Sequence, residues 1–152
     1  MIDHGERARA LFLSGMTCAQ AVLCAFEDET GLDRDLAMRM ASGFGAGLGG
    51  LREVCGTLTG AILALGVIEG WTEPGDFEAK RAHYARVRLL AERVRQAEGS
   101  IVCRELLAAA GVSPRAEPSR RTGEYYKKRP CPELAAEAAR LLEALLAEPE
   151  AH

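Results

Sequence analysis

The chain lacks an uninterrupted apolar stretch long enough to cross a bilayer. Its longest apolar run, Leu58 to Ile68, is broken by Thr59, Gly60 and Gly66 and falls short of the ~20 residues a spanning helix needs, so no membrane span is expected. An excess of positive charge is missing too. Lys and Arg number 19 against 22 Asp and Glu, a formal net charge of -3, which withholds the general phosphate attraction of a nucleic-acid binder. The opening Met-Ile-Asp-His-Gly-Glu-Arg has neither the basic stretch nor the apolar core of a secretion signal. The cytoplasm is therefore the expected compartment. Its reducing pool shifts the reading of five cysteines away from structural disulfides and toward ligands, catalysts or buried thiols.

Strict apolar/polar alternation is absent as well, so an all-α fold is expected: one domain over 1-152, a bundle of about six or seven helices around an apolar central one. Asp3 with Glu6 reads as a capping box for a first helix ending near Ser14 and Gly15. Thr17 caps a second, running to about Glu29 and closed by Gly31. Asp33 opens a third, with Leu36, Met40, Ala41 and Phe44 at helical spacing, before the glycines of 43-50 take over. The fourth, from about Arg52 to Glu69, is apolar on nearly every face and is the candidate central helix. Asp76 opens the longest, to about Glu98, with His83, Val87, Leu90, Val94 and Ala97 on one stripe and Arg86, Arg88, Arg93 and Arg95 mostly elsewhere. Ser100 caps a short sixth ending at Gly111. The polar stretch 113-130, with its prolines, reads as loop. Pro132 suits a first helical turn, and Leu134, Ala138, Leu141 and Leu145 make the apolar face of the last helix.

On this reading Cys18, Cys55, Cys103 and Cys131 all fall where helices begin. Unpaired N-H groups and the partial positive charge there stabilise a thiolate, which is both nucleophile and metal ligand. Lys127, Lys128 and Arg129 add positive charge just before Cys131. Cys24 lies mid-helix, six residues past Cys18 and on another face, and reads as a small buried hydrophobe. The C-x-x-C pairs of zinc knuckles and thioredoxin-like enzymes are missing, as is the C-x-x-C-H of covalent haem attachment. What remains is a site assembled by the fold from four helix starts. It could hold an iron-sulfur cluster or zinc on four thiolates, or cycle one or two dithiol pairs through disulfides.

Cys18 followed by Ala19-Gln20-Ala21-Val22, then Cys55-Gly56-Thr57-Leu58-Thr59-Gly60, Cys103-Arg104-Glu105-Leu106 and Cys131-Pro132, resemble the C_GCAxxG_C_C family over roughly Cys18 to Leu146. Thr57 stands where that family's central motif has alanine. The resemblance implies a small helical protein with redox activity, and it carries Cys18, Cys55, Cys103 and Cys131 over as the functional set. Some relatives resemble the cysteine-bearing part of haem proteins in which an iron-sulfur cluster has been considered. The expected function is thus redox work by thiol-disulfide or electron-transfer chemistry, an oxidoreductase if it turns over. The alternatives are an iron-sulfur carrier on the same four cysteines and a structural zinc module that docks a partner without catalysis. The redox partner and substrate are undefined.

Other signals carry blander readings. Gly45-Ala46-Gly47-Leu48-Gly49-Gly50 satisfies G-x-G-x-x-G, but no strand precedes it, so a turn bringing backbone close to the Cys55 region is expected instead of a dinucleotide site. Gly56 and Gly60, one turn apart, suit close helix packing. His83 reads as a hydrogen-bonded core or boundary residue ahead of a ligand or base, and Trp71, Tyr125 and Tyr126 as packing residues. The basic run Tyr125-Arg129 does not outweigh the net negative charge as a nucleic-acid signal. A symmetric homodimer is the default assembly for so apolar a helical chain.

Overall fold

A computed structural model describes residues 2-149; Met1 and 150-152, the ends of the expected 1-152 domain, lie outside the described residues. Nine right-handed α-helices occur among them, besides a 3-10 turn at Ser42–Phe44: α1 His4–Leu13, α2 Cys18–Ala25, α3 Glu27–Thr30, α4 Arg34–Ala41, α5 Gly56–Glu69, α6 Phe77–Glu98, α7 Cys103–Ala109, α8 Gly123–Lys128 and α9 Cys131–Leu146. The fold is all-α. Two helices exceed the six or seven expected. One is α3, separated from α2 by Phe26, whose φ of -104° and ψ of 23° break the run before Gly31 closes it in the left-handed region. The other is α8, inside the stretch expected to be loop, where the Thr122 hydroxyl accepts from the Tyr125 N-H.

Capping sets the other boundaries. Asp3, Asp33 and Asp76 each accept from the N-H three residues on, and Thr17 with Gln20 forms a reciprocal capping box. Ser100 does not cap a helix as expected; its hydroxyl accepts from the Val102 N-H, and α7 begins two residues later, at Cys103. The fourth expected helix begins late in the same way. Residues 53-55 are non-helical, and Val54 pairs with Val102 in an isolated antiparallel bridge. Helix α5 then starts at Gly56, with Cys55 as its N-cap residue.

The main apolar cluster joins α1, α2, α5, α6 and α9 through Phe26, Leu23, Leu58, Leu65, Leu90 and Leu142, all fully or almost fully buried. Helix α5 packs against α2, α6 and α9, which makes it the central helix of the expectation. Its glycines let α2 approach: a Cβ on Gly60 would lie 2.6 Å from the Ala19 carbonyl oxygen, and one on Gly56 would lie 3.2 Å from the Cys18 Cβ. That contact fixes the start of α2 over the start of α5.

Two faces differ from expectation. Helix α4 buries Ala37 and Ala41, while Leu36 and Met40 are exposed, because its small residues allow the closer approach to α2. Arg86, expected on the solvated side of α6, is buried; its Nε and Nη2 donate to Glu69 at 2.9 and 2.5 Å, and Nη2 also donates to the Leu145 carbonyl at 3.1 Å. Bidentate pairing offsets the cost of burying both charges. Among the described residues no helix is long and apolar enough to cross a membrane.

Candidate functional site

The four helix-start cysteines come from α2, the residue before α5, α7 and α9, and all four line one cavity of about 320 Å³. Cys24 does not line it; the side chain is fully buried in the main core, and burial raises its thiol pKa. All five cysteines are free thiols.

Backbone pairing positions one half of the site. The Cys55 N-H donates to the Ile101 carbonyl at 2.8 Å and the Cys103 N-H to the Glu53 carbonyl at 2.5 Å, on either side of the Val54-Val102 bridge. Both sulfurs are nearly buried. Burial pushes the Cys55 thiol up to about 11, against a 3.1 Å contact between its sulfur and the Thr57 hydroxyl that eases ionisation. The Cys103 sulfur accepts from Arg52 Nη1 at 3.6 Å.

The other half faces it. Cys18 and Cys131, each half-buried, open α2 and α9, and their thiols interact as a pair. Hydrogen bonding from Cys18 lowers the Cys131 pKa to about 7, burial opposes the shift, and the Arg129, Arg121 and Arg52 charges add to it. Cys18 moves the opposite way, well above the ordinary thiol range, chiefly because its proton is held by Cys131 and then because it is buried. The two thiols titrate as a pair, with the proton favoured on Cys18 and the three guanidinium charges adding to the preference for a thiolate at Cys131.

Those cations are held in place. Arg121 lies over the Phe12 and Tyr125 rings at 4.1 and 4.9 Å and donates to the carbonyls of Phe12 and Met16. Arg129 lies 4.9 Å from the Tyr125 ring centroid and donates to the Ser119 hydroxyl at 3.1 Å. Arg52 Nε donates to the Arg115 carbonyl at 2.8 Å. Tyr125 is thus a wall of the site, beyond the packing role expected of it; burial pushes its phenol up to about 12 and keeps it neutral. No single motif signalled Arg52 or Arg121, because the chain folds 113-130 back over the cysteines from a region that reads only as polar.

The glycine-rich stretch packs against the same wall. Ala46, Gly47 and Leu48 are left-handed, at φ 53°, 63° and 75°, and Arg52 is left-handed at φ 58°. Non-glycine residues in this region cost about 1-3 kcal/mol each and persist where the surroundings over-determine them. Here they do: a Cβ on Gly47 would lie 2.7 Å from the Glu53 nitrogen and 2.8 Å from the Cys103 Cβ. The turn is the close backbone approach expected near Cys55, although the cysteine it touches is Cys103.

His83 lies elsewhere, beside Trp71 in a second cavity, and its buried Nδ1 has no hydrogen-bond partner among the described residues, where a hydrogen-bonded one was expected.

A closed mononuclear zinc site needs four sulfurs about 2.3 Å from the metal, hence about 3.8 Å apart. Among the described residues no three cysteine sulfurs converge within 4.8 Å of one another. A polynuclear cluster holds its thiolates farther apart, and four cysteines around one cavity with three guanidinium groups fit that group's donor set and negative charge.

A family model described as "Putative redox-active protein (C_GCAxxG_C_C)" matches residues 16-145. No curated protein and no solved structure is significantly similar to the chain.

Proposed function

Since the chain belongs to the C_GCAxxG_C_C family, we propose that it is a dithiol-disulfide redox protein in which Cys131 is the nucleophile and Cys18 the resolving thiol. The paired thiols at the mouths of α2 and α9 carry this reading: one sulfur lowered to about 7, its neighbour held protonated against it. A thiol with a pKa near the ambient pH combines a useful thiolate fraction with retained nucleophilicity. The Cys131 thiolate attacks a disulfide, displaces one thiolate and forms a mixed disulfide. Cys18, relieved of its negative neighbour, then ionises, attacks the Cys131 sulfur and releases the second thiol. The protein ends as the Cys18-Cys131 disulfide, oxidised by two electrons. Cys55, bonded to the Thr57 hydroxyl, and Cys103, bonded to Arg52, flank the pair.

The convergence of four cysteines on one cavity favours a second reading. Cys18, Cys55, Cys103 and Cys131 would then hold an iron-sulfur cluster, which supplies one-electron transfer when bound. Anaerobic purification followed by iron, sulfide and zinc assays and thiol titration separates the two. Metal-free protein that loses two thiols to a mild oxidant and regains them with dithiothreitol supports the dithiol. Stoichiometric iron and sulfide would replace it with the cluster.

A further inference from the structure

Apart from the Cys131 thiolate, the charged side chains of the cavity wall are all cationic. Arg52, Arg121 and Arg129 line it, and among the described residues no Asp or Glu does. Apart from the cysteines and the Thr17 and Ser119 hydroxyls, the rest of the wall is apolar or aromatic, with Phe12, Tyr125, Leu107 and Leu134 in it. Each guanidinium is anchored by only some of its five N-H groups: two from Arg52, two from Arg121 and one from Arg129 have partners among the described residues. The remaining donors are fixed in position without being consumed. A volume of about 320 Å³ is at the small end of ligand pockets, roughly 300-1,000 Å³, and suits a low-molecular-weight molecule.

We infer that the cavity selects an anionic small-molecule disulfide, one bearing carboxylates, as the oxidant of the Cys18-Cys131 pair. The inference rests on the dithiol reading above. A carboxylate on the incoming disulfide pairs with Arg129, the guanidinium with the most unengaged N-H groups, while its carbon chain lies against the aromatic wall, which brings an S-S bond to the Cys131 sulfur. Exchange then follows the balance already given: one S-S bond is broken in the ligand, one is formed between Cys18 and Cys131, and the ligand leaves as two thiols. The chain's net charge of -3 works the other way, drawing cations. A preference for an anion therefore has to come from the cavity itself.

Three disulfides of matched size separate the possibilities: dithiodipropionate, a dianion; hydroxyethyl disulfide, neutral; and cystamine, a dication. Each is mixed with the reduced full-length protein at one pH, and formation of the Cys18-Cys131 disulfide is followed by peptide mass spectrometry. Every rate is divided by that of the same disulfide with mercaptoethanol, which removes leaving-group differences. The dianion is expected to exceed the dication by about tenfold or more, the lower range of a charge-focusing cleft. Arg129→Met should collapse the ratio and Arg129→Lys should keep most of it. A dication that reacts as fast as the dianion overturns the inference while leaving the dithiol intact, as does a preference unchanged in Arg129→Met. If none of the three joins Cys18 to Cys131, the dithiol reading fails and the inference fails with it. Wild-type protein alone decides the sign of the preference should Arg129→Met not fold.

Discussion

Replacing Cys18 with alanine removes the hydrogen bond that contributes most to lowering the Cys131 pKa, while Arg129, Arg121 and Arg52 stay in place. A hydrogen bond to an ionised group contributes about 1.5-3 kcal/mol, and one pKa unit is about 1.4 kcal/mol, so the Cys131 midpoint should rise by about 1-2 units. From about 7 it should move to roughly 8-9. At pH 7 the thiolate fraction then falls by roughly 5- to 50-fold, but a more basic thiolate is a better nucleophile. With a Brønsted slope of about 0.4-0.5, the net loss in exchange rate is only about 2- to 8-fold. The decisive quantity is thus the pH midpoint. Iodoacetamide labelling, resolved cysteine by cysteine through peptide mass spectrometry, reads it directly. A midpoint that stays near 7 in Cys18→Ala would refute the paired-thiol account and leave the guanidinium charges as the whole cause. The sign for stability follows from the same shift. A lowered thiol pKa favours the folded state above the unfolded value of about 8.5, and that contribution is lost as pH falls through about 7.

Thr57→Ala should slow labelling of Cys55 at alkaline pH and move its midpoint further up from about 11, since the hydroxyl that eases its ionisation is gone. Gly60→Ala should cost about 1-3 kcal/mol in urea unfolding, because the added Cβ would lie 2.6 Å from the Ala19 carbonyl oxygen, whereas Gly66→Ala, with nothing within 4 Å, should gain about 0.5-1 kcal/mol from helix propensity. Equal effects at the two glycines would show that the α2-α5 crossing is not as tight as described. Cys24→Ala should leave the Cys131 midpoint and the recoverable thiol count of the pair unchanged, as thiol titration before and after mild oxidation would report; a shift in either would bring Cys24 into the site.

Legibility followed the range over which the physics acts. Caps are local, so Asp3, Thr17, Asp33 and Asp76 announce their helices within four residues, and Thr17 places Cys18 at a helix start by such a signal. Cys55 and Cys103 fall at helix starts although both boundaries shifted, because the bridge between Val54 and Val102 holds the chain extended up to each cysteine. A two-residue pairing leaves no alternating pattern to read. Arg86 was misplaced because a buried cation depends on a partner 17 residues away, Glu69, and not on its own helix. The same holds for Arg52 and Arg121, whose polarity says surface, and for Tyr125, which reads as packing: only the return of the chain over the cysteines makes them walls of a cavity. Thr57 reads as a small replacement by size, yet its hydroxyl rather than its volume is what touches the sulfur.

The pairing of Val54 with Val102 closes a circuit. Everything between Cys55 and Cys103, the central helix, its connection and the long helix α6, leaves from one side of a single backbone contact and comes back to the other. The spacing of those two sulfurs is set across that contact and not along the intervening chain. Residues added or lost in the 70-76 connection, or at the solvent end of α6, would lengthen or shorten an excursion whose two feet stay put. This part of the protein can therefore drift in length, while a change of one residue between Arg52 and Cys55, or between Ile101 and Cys103, would throw a thiol out of the cavity.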